Sequence, residues 1–271
     1  MKYIKRLLLF ILAVIMVCSV RICVYHYQDG LIFFPNEPAD ENAQPTSPQF
    51  QTVQVKTSDG LNLHALYFSG DKSKPAILWN HGNAYDVYKL AFILQPYIDA
   101  NFPVYMTEYR GFGGNPGHFS EQGFINDIDA GWEFLKSRGH KNIVVHGYSM
   151  GCATSAMFAN IRHRPAALVL ESPFTDFVSV AKHRYGFIPF IKWLLKYDIN
   201  TVQNVKGIND VPTLILHGDA DDVIPFSHGA SVYDASPADA KKFILIPGGT
   251  HKLYKFNSYN LIIDWLKENV K

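Results

Sequence analysis

At 271 residues, 48% of them hydrophobic, the chain has the material for one domain of ordinary size with a well-buried core. The formal charge is +1, and residues 1–30 carry four of the Lys and Arg and one Asp; the remainder has 21 basic against 23 acidic side chains, a charge of −2 and no basic face for nucleic acid. Of the three cysteines only Cys152 lies outside the N-terminal apolar segment, which excludes an intradomain disulfide, and neither paired Cys nor H-E-x-x-H offers a zinc site.

The N-terminus differs in kind from the rest. Lys2, Lys5 and Arg6 precede a low-polarity run over residues 7–20, and apolar character resumes after Arg21 in Ile22-Cys23-Val24-Tyr25-His26-Tyr27. A run of that length also suits a signal-peptide core, but no small-x-small cleavage site follows. We read residues 1–30 as an uncleaved signal anchor, with a cleaved signal as the alternative. More cations before the run than after it predict a single-pass protein with its domain on the extracytoplasmic side. Residues 31–50 read as a tether, since residues 36–48 are rich in Pro, Asn, Gln, Glu and Ser. The domain proper then covers residues 51–271.

Residues 51–56 and 62–68 read as a hairpin about Ser58-Asp59-Gly60, and strands follow near 76, 104, 143, 167, 213 and 242 with helical patterns between most of them. Eight strands that alternate with helices predict an α/β fold with a doubly wound, mostly parallel sheet. The strand Ala76-Ile77-Leu78-Trp79-Asn80 runs into His81-Gly82-Asn83-Ala84, a loop whose glycine lets the main chain come close to a neighbour. The strand Ile143-Val144-Val145-His146 runs into Gly147-Tyr148-Ser149-Met150-Gly151, which is followed by the small residues Cys152-Ala153-Thr154-Ser155-Ala156. Strand, sharp turn and helix with a serine at the apex is the nucleophile-elbow pattern G-x-S-x-G. Cys152 reads as a small core residue on the helix behind it.

Residues 174–209 form a candidate helical cap rich in aromatic and aliphatic side chains. Phe190 and Trp193 are its candidate substrate-binding rings, the alternative being a helix pair that uses them as core. Next, the strand ending at His217-Gly218 leads into Asp219-Ala220-Asp221-Asp222, and the strand after that into Pro247-Gly248-Gly249-Thr250-His251. A nucleophilic serine needs a base and an acid that orients it, and in this architecture the order is Ser, acid, His. Only His228 and His251 follow the acidic cluster; His228 falls on a helix face, so His251 is the candidate base. Spacing from Gly218 favours Asp221 as acid, with Asp222 as the alternative and Asp219 as a brace of the loop. The oxyanion donors are then the main-chain N–H groups of Met150 and, from the earlier loop, Asn83, while His81 braces that loop.

Together with Tyr109-Arg110-Gly111-Phe112-Gly113-Gly114, Ser120-Glu121 ahead of Asp127-Ile128-Asp129-Ala130, and Val223-Ile224-Pro225-Phe226-Ser227-His228-Gly229, these motifs make the chain resemble the α/β-hydrolase superfamily, in particular its membrane-tethered abhydrolase-domain proteins. The base loop reads Gly-Gly-Thr-His where many members have Gly-x-Gly-His. The resemblance implies Ser149 as nucleophile, Asp221 as acid and His251 as base; with no zinc pattern in the sequence, the simplest reading is hydrolysis without a cofactor or metal. The resemblance implies a serine hydrolase but does not fix its substrate; the leading reading is a carboxylic ester or thioester, with an apolar, lipid-like acyl group if the rings of residues 174–209 line a cleft. Amide or peptide cleavage is the alternative, and a catalytically silent binding protein a third reading.

Overall fold

A computed structural model describes residues 2–35, 49–188 and 190–270, so most of the expected tether lies outside the described residues. Among the described residues, eight strands form one sheet: β1 (Gln51–Lys56), β2 (Asn62–Phe68), β3 (Ala76–Asn80), β4 (Val104–Thr107), β5 (Ile143–Tyr148), β6 (Ala167–Glu171), β7 (Thr213–Gly218) and β8 (Lys241–Ile246). Their order is β1-β2-β4-β3-β5-β6-β7-β8. β1 pairs antiparallel with β2, and β2 with β4; every other pair is parallel. The expected doubly wound α/β sheet is borne out.

Every residue of β3, β4, β6 and β7 is buried, which is why these strands read as near-continuous apolar runs. Alternate side chains serve opposite faces. Leu78, Val145, Leu168, Leu170 and Ile215 join one core; Ile77, Trp79, Val144, Val169, Leu214 and Leu216 join the other. The first core is closed by the helices Glu121–Ser137 and Met150–Ile161, and the second by Gln95–Asp99 and Ser258–Asn269. Ser120 caps the first of these, its Oγ accepting from Gly123 N at 3.0 Å.

The chain winds away from β3 in both directions, to β4 on one side and to β5 on the other. That reversal opens a crevice at the strands' carboxyl ends, the place where such sheets bind ligands. The loops after β3, β5, β7 and β8 therefore meet there.

The N-terminal segment is one helix, Lys2–Tyr27, unbroken at Arg21 and without a buried residue; it is long and apolar enough to cross a membrane. Its continuation is not a free tether. Residues 31–34, read above as tether, dock on the domain. Phe33 is buried, its ring centroid 4.3 Å from that of Phe119 and 5.2 Å from that of Tyr197, and Phe34 N donates to Asn83 O at 2.8 Å. Burying Phe33 gives the apolar segment after the long helix a reason to pack on the domain rather than remain in water.

Candidate active site

Ser149 sits between β5 and the helix Met150–Ile161 with φ 54° and ψ −118°, a conformation strained for a residue with a side chain. The close packing around it explains the two glycines of the motif. A Cβ on Gly147 would strike the Gly151 carbonyl, and one on Gly151 would strike that of Asn80. A serine at a helix N-terminus ordinarily bonds its own helix, but this turn aims the hydroxyl away and no such bond forms. Cys152 is wholly buried, its Sγ 3.1 Å from the carbonyl oxygens of both Gly147 and Glu171, which share its one S–H, and burial pushes its pKa well up.

The hydroxyl meets His251. Ser149 Oγ lies 3.0 Å from His251 Nε2, and His251 Nδ1 lies 2.8 Å from Asp221 Oδ2. With Nδ1–H donating to the carboxylate, Nε2 is left to accept the serine proton. Asp221 Oδ1 accepts the main-chain N–H groups of Val223 and Ile224 at 3.0 and 2.8 Å. Burial would raise this carboxyl, but hydrogen bonds from His217 and His251 and the Ile224 amide outweigh it and hold Asp221 well below the ordinary carboxylate range.

The other candidates fall elsewhere. Asp222 is exposed, and Asp219 accepts from Gly248 N at 2.6 Å, fastening the acid loop to the loop that carries His251. His228 bonds Thr175. Sequence reasoning passed over His217, which ends β7: its Nε2–H donates to Ile224 O at 2.9 Å and lies 3.3 Å from Asp221 Oδ2. It also missed Tyr148, whose hydroxyl donates to His251 O at 3.2 Å. Both sit at the ends of strands that carry recognised motifs.

The loop after β3 crosses directly over the serine. A Cβ on Gly82 would stand 3.3 Å from that of Ser149. His81 is buried, donating from Nδ1 to Gly82 O at 2.7 Å and facing Glu108 at 3.2 Å, an arrangement that braces the loop. Asn83 is held from the N-terminal side, its Nδ2 donating to Ile32 O at 2.7 Å. Asn83 and Met150 both border a cavity of about 390 Å³ that opens onto Ser149.

Phe174, Phe177, Val180, Leu195, Ile224 and, from the segment following the long helix, Leu31, Ile32 and Phe34 make half of its wall, and His183, Arg184 and Tyr185 also border it. Phe190 and Trp193 are not among its lining residues. Both are exposed: Phe190 adopts φ 55° at the turn before the short helix Ile191–Leu194, and Trp193 lies under the Arg21 guanidinium. Neither ring reaches the described cavity wall, and neither is buried in the core. Phe177, on the first turn of the helix Phe177–Tyr185, takes the position at the cavity instead.

Sheet order and elbow together define an α/β-hydrolase. The profile of the prolyl oligopeptidase family matches residues 88–271, and the chain belongs to that family; it is a hydrolase of the serine type. The uncharacterized protein Rv2307c of Mycobacterium tuberculosis is 32% identical over 233 residues, covering 84% of this chain and 82% of that one. The α/β hydrolase domain-containing protein WAV2 of Arabidopsis thaliana is 28% identical over 255 residues, covering 83% and 81% respectively. Among solved structures, the esterase Pf2001 of Pyrococcus furiosus shares the fold with a TM-score of 0.69 at 18% identity, over 89% of this chain and 98% of that one.

Proposed function

We propose that this enzyme hydrolyses carboxylic esters or thioesters of an apolar acyl group through an acyl-enzyme on Ser149. The observation that carries the reading is the hydrogen-bonded series Ser149–His251–Asp221, with Ser149 in the wall of a mostly apolar cavity. His251 Nε2 takes the hydroxyl proton as Oγ attacks the carbonyl carbon, and Asp221 stabilises the imidazolium so formed. The N–H groups of Met150 and Asn83 receive the oxyanion, the former with the favourable dipole of the helix Met150–Ile161 behind it. His251 returns the proton to the leaving group. Water then repeats the sequence on the acyl-enzyme and releases the acid.

Peptide or amide cleavage is the second reading, favoured by the family to which the chain belongs. Against an aminopeptidase, the described lining of the cavity has no acidic side chain to hold a free amine. The long helix serves in this reading as a single-pass anchor for an extracytoplasmic domain over residues 51–271, since its cations cluster at the N-terminal end.

A p-nitrophenyl ester series tests the substrate class. Each buried methylene contributes about 0.8 kcal/mol, so kcat/KM should rise about fourfold per methylene from acetate to hexanoate. Phe177→Ala or the milder Val180→Ala should flatten that rise while leaving acetate hydrolysis within about twofold. A profile that peaks at acetate and ignores both substitutions would exclude an apolar acyl site.

A further inference from the structure

The cap leaves its rings bare. Phe187 and Phe190 are 83% exposed, Trp193 44% and Tyr185 38%. Between Phe177 and Tyr197 the chain also carries Lys182, His183, Arg184, Lys192 and Lys196 and no acidic residue. Exposed aromatic rings beside Lys182, Arg184 and Lys192, on a stretch with no carboxylate of its own, suit the headgroup layer of a membrane with anionic lipids.

The neighbouring helix sets the depth. The Arg21 guanidinium lies 4.6 Å from the centre of the Trp193 ring, and the Lys196 ammonium 5.6 Å from that of Tyr25. Below them Asp29 pairs with Lys196 at 2.9 Å and accepts from the Tyr197 hydroxyl at 2.7 Å, while Gln28 Oε1 accepts from Lys196 N at 2.8 Å. At 1.5 Å per residue, Arg6 to Arg21 measures about 22 Å, and the long side chains of Lys5, Arg6 and Arg21 reaching outward extend this toward the roughly 30 Å of a bilayer's hydrocarbon. With its first cations at one interface, the helix brings Arg21 to the other. Trp193, packed on Arg21, is held at the same level.

We propose that the cap face presenting Phe187, Phe190 and Trp193 is seated in the headgroup layer of the bilayer crossed by the N-terminal helix, and that the cavity over Ser149 draws its acyl group from lipid of that leaflet. The cavity wall supplied by Leu31, Ile32 and Phe34 belongs to the segment leaving the membrane, which puts its mouth beside the lipid. The seating rests on the helix crossing the bilayer; the delivery of substrate rests in addition on the acyl-ester reading above.

Tryptophan fluorescence separates the two. Trp79, Trp132 and Trp265 are buried, so Trp193 is the exposed reporter among the chain's four. Full-length protein would be reconstituted into vesicles of phosphatidylcholine and phosphatidylglycerol containing lipid brominated either near the headgroup or near the chain end. Shallow bromine should quench more than deep bromine, and Trp193→Phe should abolish the difference. Equal quenching in wild type and Trp193→Phe would overturn the seating, whether or not the protein hydrolyses esters. Phe187→Ser/Lys192→Ser should lower turnover of a vesicle-embedded long-chain ester several-fold and leave soluble p-nitrophenyl butyrate unchanged. Equal turnover on both substrates, with quenching intact, would overturn delivery from the leaflet.

Discussion

Asp221→Asn should abolish activity through the orientation of the new amide rather than through lost charge alone. Oδ1 of Asp221 accepts two main-chain N–H groups, at 3.0 and 2.8 Å, and only an oxygen can occupy that place. The NH2 of the substituted side chain must therefore stand where Oδ2 faces His251 Nδ1 at 2.8 Å. A donor there forces the imidazole proton onto Nε2, which then points a hydrogen at Ser149 Oγ and cannot act as base. The loss should be about four orders of magnitude in kcat, or about 5 kcal/mol of transition-state stabilisation. Asp222→Asn, at an exposed side chain, should stay within about twofold. Turnover of p-nitrophenyl butyrate gives both numbers. Urea unfolding provides the control for the fold. Because Asp221 is held below the ordinary range, its stabilisation is complete above the unfolded value and lost as pH falls through the folded one. The stability gap between wild type and Asp221→Asn should therefore be flat from about pH 5 to pH 8 and close only in strong acid. Activity above about one per cent in Asp221→Asn would refute the forced-tautomer argument, and a larger loss in Asp222→Asn would move the acid by one residue.

Two further outcomes concern the scaffold. Arg110 bridges Asp59 at 2.7 Å and buried Asp127 at 2.8 Å, so Arg110→Met strands a buried carboxylate and should cost about 3–5 kcal/mol in urea unfolding. Asp59→Asn, at the more exposed partner, should cost at most about 1 kcal/mol; equal losses would show that the buried pair is not the one that matters. Reporter fusions placed after residue 50 should be active only when exported, and full-length protein should stay with membranes through alkaline carbonate washing. Release by the wash would favour a cleaved signal.

What could be seen in the sequence follows the physics of each element. Strands buried on both faces are written as apolar runs, so β3 to β7 were legible, and the hairpin of β1 and β2 from its Ser58-Asp59-Gly60 turn. The close approach at the elbow demands glycine at 147 and 151, which leaves a mark in sequence. His217 left none, because a histidine ending a strand looks the same whether it bonds a carbonyl or a carboxylate, and only the return of the loop at Ile224 brings Asp221 to it. Phe190 and Trp193 were misplaced for a related reason. Aromatic density says that rings need cover but not from what, and the left-handed turn at Phe190 directs the chain in a way no periodicity reveals. Residues 31–34 were read as tether because the partners that bury Phe33, Phe119 and Tyr197, are remote in sequence.

Covalent capture at Ser149 is read most directly by labelling purified full-length protein with a fluorophosphonate and locating the adduct by peptide mass spectrometry. Wild type should carry the phosphonyl group on Ser149, and Ser149→Ala, with an unchanged melting temperature, should carry none and hydrolyse no ester above background. Labelling that persists in Ser149→Ala, or an adduct found on another residue of the wild type, would contradict the mechanism.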